Sequence, residues 1–204
     1  MLTISKPLSA GQAQNYRQKE FTAKEQNYWS QCGEIADEWQ GHLAPQFGLA
    51  GAVSAEDFAR LSQGQNPMTG EQLVRQRASY EYQDANGKTI KTMEHRAGWD
   101  ATFSVPKSVS LTALVGGDER VSEAHRESVR VALDQLERYT QARIGGNHSP
   151  ETTGKFIVAK FEHDTARPVD GYVAPQLHTH AVVFNITERE SGQPRAVQPQ
   201  SLFA

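Results

Sequence analysis

The spacing of apolar and polar positions changes several times along the chain, and each change marks an element. Leu2-Thr3-Ile4-Ser5 alternates as a short opening strand does. Ser9 with Gln12 is a capping-box pair, so a helix carrying Tyr16 starts there. Lys24 to Gln31 predicts a second short helical piece with Tyr28 and Trp29. Ser54-Ala55-Glu56-Asp57 opens another helix, with Phe58 and Leu61 turned inward. Gly64 to Gly70 is a loop, and Ser79 to Glu94 a hairpin in which Asn86-Gly87 signals a type I′ turn.

The second half is more regular. Gly98 to Phe103 predicts a strand and Pro106 a helix start, with Val109, Leu111, Leu114 and Val115 following and Gly116-Gly117 ending it. Asp118 or Ser122 to Arg143 predicts the longest helix, with Val121, His125, Val129, Leu133 and Leu136 on one stripe and Gly145-Gly146 as its stop. Lys155 to His163 and Leu177 to Ile186 predict strands, the latter turning at Ser191-Gly192 into a short strand near Ala196-Val197. Strands and helices alternate, yet several strand pairs are hairpin-linked. The fold class is therefore α+β with a mostly antiparallel sheet, not a parallel doubly wound one.

Composition narrows the class of molecule. The 204 residues suit one domain of good size, and 37% hydrophobic with 22% charged residues suit a globular chain. No apolar run is long enough to span a bilayer, and Met1 to Lys6 is too poor in apolar residues for a signal peptide. Cys32 stands alone, which excludes a disulfide framework and a Cys-rich zinc site. Together these features point to the cytoplasm, without membrane insertion. The formal net charge of −3 argues mildly against a nucleic-acid partner, because phosphate contacts normally need Lys and Arg.

Candidate chemistry lies in the histidines. His178 and His180 are two apart, so on a strand both face the same side. His163 ends the preceding predicted strand, and the loop from Asp164 to Gln176 lets its imidazole approach that side if the two strands pair. Three neutral imidazoles suit one divalent metal ion with open positions for water or a phosphate oxygen. The alternative is three satisfied polar side chains. His42, His95, His125 and His148 are expected to be structural or surface residues.

Tyr16 and Asp100 are harder to weigh from spacing. A tyrosine, with a pKa near 10, needs a base or a neighbouring cation to act as a nucleophile. Otherwise Tyr16 simply packs in the core. In Gly98 to Phe103 the residues Trp99, Ala101 and Phe103 share one face and Asp100 and Thr102 the other. Asp100 either orients a histidine, accepts a tyrosine proton, or lies on an exposed strand face.

Longer blocks now carry a resemblance. They are Ser9-Ala10-Gly11 to Asn15-Tyr16, Glu38-Trp39-Gln40-Gly41 with Phe47-Gly48-Leu49-Ala50-Gly51, and Asp100-Ala101-Thr102-Phe103-Ser104-Val105-Pro106-Lys107-Ser108-Val109-Ser110. Thr153-Gly154, His163-Asp164-Thr165-Ala166-Arg167 and Pro175 to Val183 complete the set. In this order the chain resembles the MobF-type (TrwC- and TraI-like) conjugative relaxases, nicking domains of the HUH endonuclease group. The resemblance implies a central five-stranded antiparallel sheet flanked by helices. It implies site- and strand-specific nicking and rejoining of single-stranded DNA at an origin of transfer. Tyr16 would be the nucleophile, forming a 5′-phosphotyrosine and a free 3′-OH. His163, His178 and His180 would hold Mg²⁺ or Mn²⁺, and Asp100 would take the Tyr16 proton or orient a histidine. Accessory relaxosome proteins, a conjugative secretion system and C-terminal helicase domains are the implied partners. Residues 1–204 would be one nicking domain, truncated at its C-terminal end.

Two features depart from that pattern. Family members often carry paired tyrosines, whereas here Arg17 follows Tyr16 and Trp29 follows Tyr28, which leaves Tyr28 as the candidate second catalytic tyrosine. The Tyr80 to Glu94 hairpin is either a plain surface insertion or a DNA contact through Lys88, Lys91 and Arg96. Two other functions stay open: a single-stranded DNA-binding module without catalytic activity, and a metal hydrolase that uses activated water.

Overall fold

A computed structural model describes residues 1–16, 37–76, 81–84, 87–91, 95–146, 148–167 and 169–202. In chain order the main elements are β1 (Leu2–Ile4), β2 (Leu8–Ser9), α1 (Ala10–Tyr16), β3 (Asp37–Gln40), α2 (Ala55–Ser62), β4 (Glu81–Gln83), β5 (Thr89–Lys91), β6 (Arg96–Ser104), α3 (Lys107–Ser110), α4 (Glu119–Glu137), β7 (Gln141–Ala142), β8 (Glu151–Thr152), β9 (Val158–Thr165), β10 (Pro175–Phe184), β11 (Thr187–Glu188) and β12 (Pro194–Arg195). The expected helix over 24–31, and Tyr28 with it, lies outside the described residues.

The central sheet runs β1-β6-β10-β9-β3, with short β2 also pairing along β6. Every pair in it is antiparallel, so the expected five-stranded path is present with a sixth short strand added. β10 is the middle strand and carries two of the histidines. Alternation along it sorts the side chains between two cores. Val182 and Phe184 join Ala159 and Phe161 of β9, Ala13 of α1, and Phe58 and Leu61 of α2 on one face. Ala181 and Val183 join Ala101, Val158 and the α4 residues Val129 and Leu133 on the other. The two helical layers thus follow from period 2 in the strand meeting period 3.6 in the helices.

Local signals explain the helix starts. Ser9 Oγ accepts from Gln12 N at 3.2 Å while Ser9 N donates to Gln12 Oε1 at 2.9 Å, the reciprocal capping box. Ser54 Oγ accepts from Asp57 N at 3.0 Å and opens α2. The Ser191-Gly192 turn also forms, with Gly192 N donating to Arg189 O at 2.9 Å.

Several boundaries differ from the sequence pattern. Strand β3 was not expected at all. Helix α4 ends at Glu137 rather than near Arg143, because residues 141–142 pair with β8 instead. Residues Leu111–Val115 form a π-helical turn after α3, with Leu111 and Val115 43% and 58% exposed. In the β4–β5 hairpin Gln83 opposes Thr89, Asp84 N donates to Lys88 O at 3.0 Å and Gly87 N to Asp84 O at 2.9 Å. This loop is one residue longer than a two-residue type I′ turn needs, and Gly87 closes it at φ 75°.

Candidate functional site

Register brings the histidines together. His178 is paired with His163 across β10–β9, and His180 opposes Phe161 there and Thr102 on β6. The three rings stand 5.0–5.3 Å apart between centroids. β9 continues two residues past His163 rather than ending on it. Between Pro175 and His178 the β9–β10 register shifts, so an extra residue is accommodated on β10 just before the histidine pair. Such bulges re-aim the side chains that follow them.

Each of the two β10 rings is held by its Nδ1. His178 Nδ1 lies 2.9 Å from Gln176 O, which accepts from it. His180 Nδ1 lies 2.8 Å from Asp100 Oδ2, and Thr102 Oγ1 donates to the same carboxylate oxygen at 3.1 Å. With Nδ1 occupied as a donor, the neutral His178 ring carries its lone pair on Nε2. Asp100 is buried, not on an open strand face, and its backbone is fixed by Ser5, whose N donates to Asp100 O and whose Oγ accepts from Asp100 N, both at 2.9 Å.

Burial keeps two of the rings, His163 and His178, neutral. His163 is 1% exposed, and burial, reinforced by the nearby His178 and His180, lowers its pKa to about 3. His178 is lowered to about 4, chiefly by burial. His163 and His178, kept neutral by burial, and His180 beside them form an all-imidazole set of the kind a divalent ion takes. No group of three or more His, Cys, Asp or Glu among the described residues is drawn into ligation geometry.

The other expected site residues are placed as follows. Tyr16 is the last residue of α1, and Ala13 on that helix packs in the same core cluster as Phe161 and Val182, the neighbours of His180 and Asp100 in register. The helix thus lies on the histidine face of the sheet. Tyr28 lies outside the described residues. Lys88 is exposed on its hairpin, whereas Arg96 is half-buried in β6, 5.4 Å from the Trp99 ring centroid.

Of two buried polar groups near the sheet, sequence reasoning reads His125 as structural and misses Glu137. His125 of α4 is buried, with Nε2 2.9 Å from Thr179 Oγ1, the residue between the two β10 histidines. Its burial agrees with its place on the α4 stripe with Val129 and Leu133. Glu137 is 1% exposed and accepts from Phe156 N at 2.8 Å and His42 N at 2.7 Å.

The TrwC relaxase family model matches residues 10–204. The chain belongs to the TrwC relaxase family. It is 41% identical over 190 residues to the multifunctional conjugation protein TraI of Escherichia coli, a match covering 92% of this chain and 10% of that protein. A metal-bound structure of the conjugative relaxase TrwC with oriT DNA is 38% identical at a TM-score of 0.74, covering 97% of this chain and 61% of that one. A TrwC complex with a 27-mer DNA comprising the recognition hairpin and the cleavage site is 36% identical at a TM-score of 0.72, covering 97% of this chain and 60% of that one. The chain thus spans about a tenth of the curated relaxase relative and about three-fifths of the solved ones.

Proposed function

We propose that this relaxase-family chain nicks and rejoins one DNA strand at an origin of transfer by tyrosine transesterification. The observation that carries the reading is the three-histidine cluster backed by Asp100, with rings 5.0–5.3 Å apart and an Asp100–His180 contact of 2.8 Å. Solved TrwC structures with oriT DNA, one of them metal-bound, support the same substrate and a metal ion here.

In this reading Tyr16 attacks the scissile phosphorus, the P–O bond to the 3′ oxygen breaks, and a 5′-phosphotyrosine and a free 3′-OH result. The tyrosine proton passes to a base or solvent, and the leaving 3′ oxygen takes up a proton. Rejoining is the reverse attack by a 3′-OH, so the bond energy is kept in the protein–DNA link. His163, His178 and His180 would hold the divalent ion, Mg²⁺ or Mn²⁺. When bound, the ion neutralises charge building on the phosphate oxygens. Asp100 is the orienting group: its carboxylate fixes the His180 tautomer and ring plane. Tyr28 is proposed as the second tyrosine, acting in a later cleavage.

Such a role calls for the cytoplasm of a donor cell, accessory relaxosome proteins, a conjugative secretion system and helicase domains. No helix among the described residues is long and apolar enough to cross a membrane. The test uses an oligonucleotide carrying the cognate nick site. Wild type forms a denaturant-stable adduct, Tyr16→Phe forms none, and His178→Ala with His180→Ala keeps DNA binding but loses cleavage. An adduct persisting in Tyr16→Phe overturns the assignment of the nucleophile. Unchanged cleavage in the double histidine variant overturns the metal site.

A further inference from the structure

The bulge that precedes His178 does not hold its own shape. Its residues Pro175, Gln176 and Leu177 lie where the β9–β10 ladder is interrupted, between the Thr165–Pro175 and His163–His178 pairs. The segment 105–110, which leaves β6 and forms α3, supplies the bonds that the ladder lacks. Lys107 Nζ donates to Pro175 O at 2.6 Å. Ser110 Oγ accepts from Leu177 N at 3.1 Å. Gln176 Nε2 donates to Val105 O at 3.1 Å, and Val105 N to Leu177 O at 3.4 Å. Ser110 is fully buried, so the Leu177 amide has no water to turn to if that hydroxyl is removed.

The consequence falls on one ring. His178 Nδ1 donates to the carbonyl of Gln176, the central residue of this bulge. The direction of that carbonyl decides which His178 nitrogen carries the proton and where the other one points. A carbonyl set by a bulge is only as fixed as the bulge.

We propose that Lys107 and Ser110 are positioning residues for His178. They clamp the Pro175–Leu177 bulge so that the Gln176 carbonyl holds His178 as the Nδ1–H tautomer with Nε2 presented to the site. The inference rests on the metal-holding role of His178 for its consequence, but not for its geometry.

The experiment separates the two. Uniformly ¹⁵N-labelled metal-free protein is examined by long-range histidine NMR at pH 7.5, and Mn²⁺ affinity is measured from the electron paramagnetic resonance of the free ion. Wild type is expected to show His178 protonated on Nδ1. Lys107→Met, which keeps the apolar stem of a solvent-facing side chain, and Ser110→Ala are each expected to give a tautomer mixture. Both should bind Mn²⁺ about tenfold more weakly, the low end for loss of an outer partner. Lys107→Arg, which keeps a donor for the Pro175 carbonyl, restores the wild-type signal. A merely structural role would lower the melting temperature and leave the tautomer unchanged. Wild-type tautomer and Mn²⁺ affinity in both variants overturn the proposal, as does an Nε2–H tautomer in the wild type. If the wild type binds no Mn²⁺, the metal reading fails, while the tautomer arm still decides the clamp.

Discussion

Asp100 Oδ2 and His180 Nδ1 meet at 2.8 Å between neighbouring strands, with both side chains nearly enclosed, at 5% and 13% exposure. They are not directly opposed: Asp100 is in register with Val182 and His180 with Thr102, so the contact is a diagonal one. Removing the carboxylate frees the imidazole to rotate and to exchange tautomers. Asp100→Ala should therefore weaken divalent metal binding about 10- to 100-fold. A Mn²⁺ titration checks this, and an unchanged dissociation constant would count against the orienting role.

The donor set also predicts which ions the site prefers. Three imidazole nitrogens favour borderline ions over the harder Mg²⁺, and affinity should rise from Mn²⁺ through Co²⁺ to Ni²⁺. At equal concentration Ni²⁺ should raise the melting temperature more than Mn²⁺, and Mn²⁺ more than Mg²⁺. The reverse order in a thermal-shift series would mean that oxygen donors, not the histidines, dominate the site.

Acid should destabilise the fold through three buried histidines. Burial lowers His163 to about 3 and is the largest cause that holds His178 and His125 at about 4. An unfolded histidine titrates near 6.5, so below that pH the unfolded chain takes up protons that the folded chain excludes. From these three groups stability is flat above about pH 7. It falls as pH drops from about 6.5 towards 4, by up to about 1.4 kcal/mol per pH unit for each histidine. Urea unfolding at pH 7.5 and pH 5.0 measures the difference, and equal midpoints would contradict it.

Glu137 offers a test of the α4 boundary. Its carboxylate accepts the Phe156 and His42 amides, and burial raises its pKa. Glu137→Ala leaves both amides in need of partners, at a cost of about 1–3 kcal/mol for each amide that stays buried. Denaturant melts would show the loss. Stability equal to wild type would mean that water or a shifted loop replaces the carboxylate.

Much of the site was legible because its signals are local. The i, i+2 spacing of His178 and His180 needs only a strand, and the alternation of Leu177 to Ile186 supplies one. That His163 can reach the same face was legible if the two strands pair, but its register with His178 was not, because it depends on the bulge after Pro175. Asp100 could be placed on its face but not on His180, because a diagonal contact between strands 80 residues apart in sequence leaves no local trace. Strand β3 escaped for a similar reason. Asp-Glu-Trp-Gln has little β-propensity and becomes a strand through pairing with Val158 to Phe161. The bend after Gly41 has the same origin: its φ is 110°, and a Cβ there would stand 2.3 Å from Phe156 O. The stripe of α4 continued towards Arg143 in sequence, whereas the structure breaks it where Glu137 turns inward and residues 141–142 join a strand pair.

The central claim, a tyrosine nucleophile served by the three-histidine site, is tested most directly by locating the covalent link. The protein is incubated with a single-stranded oligonucleotide carrying the nick site and Mn²⁺, digested, and the nucleotide-bearing peptide sequenced by mass spectrometry. The account predicts a 5′-phosphodiester on Tyr16, formed only with metal present. An adduct on another residue, or cleavage with no adduct at all, would contradict it.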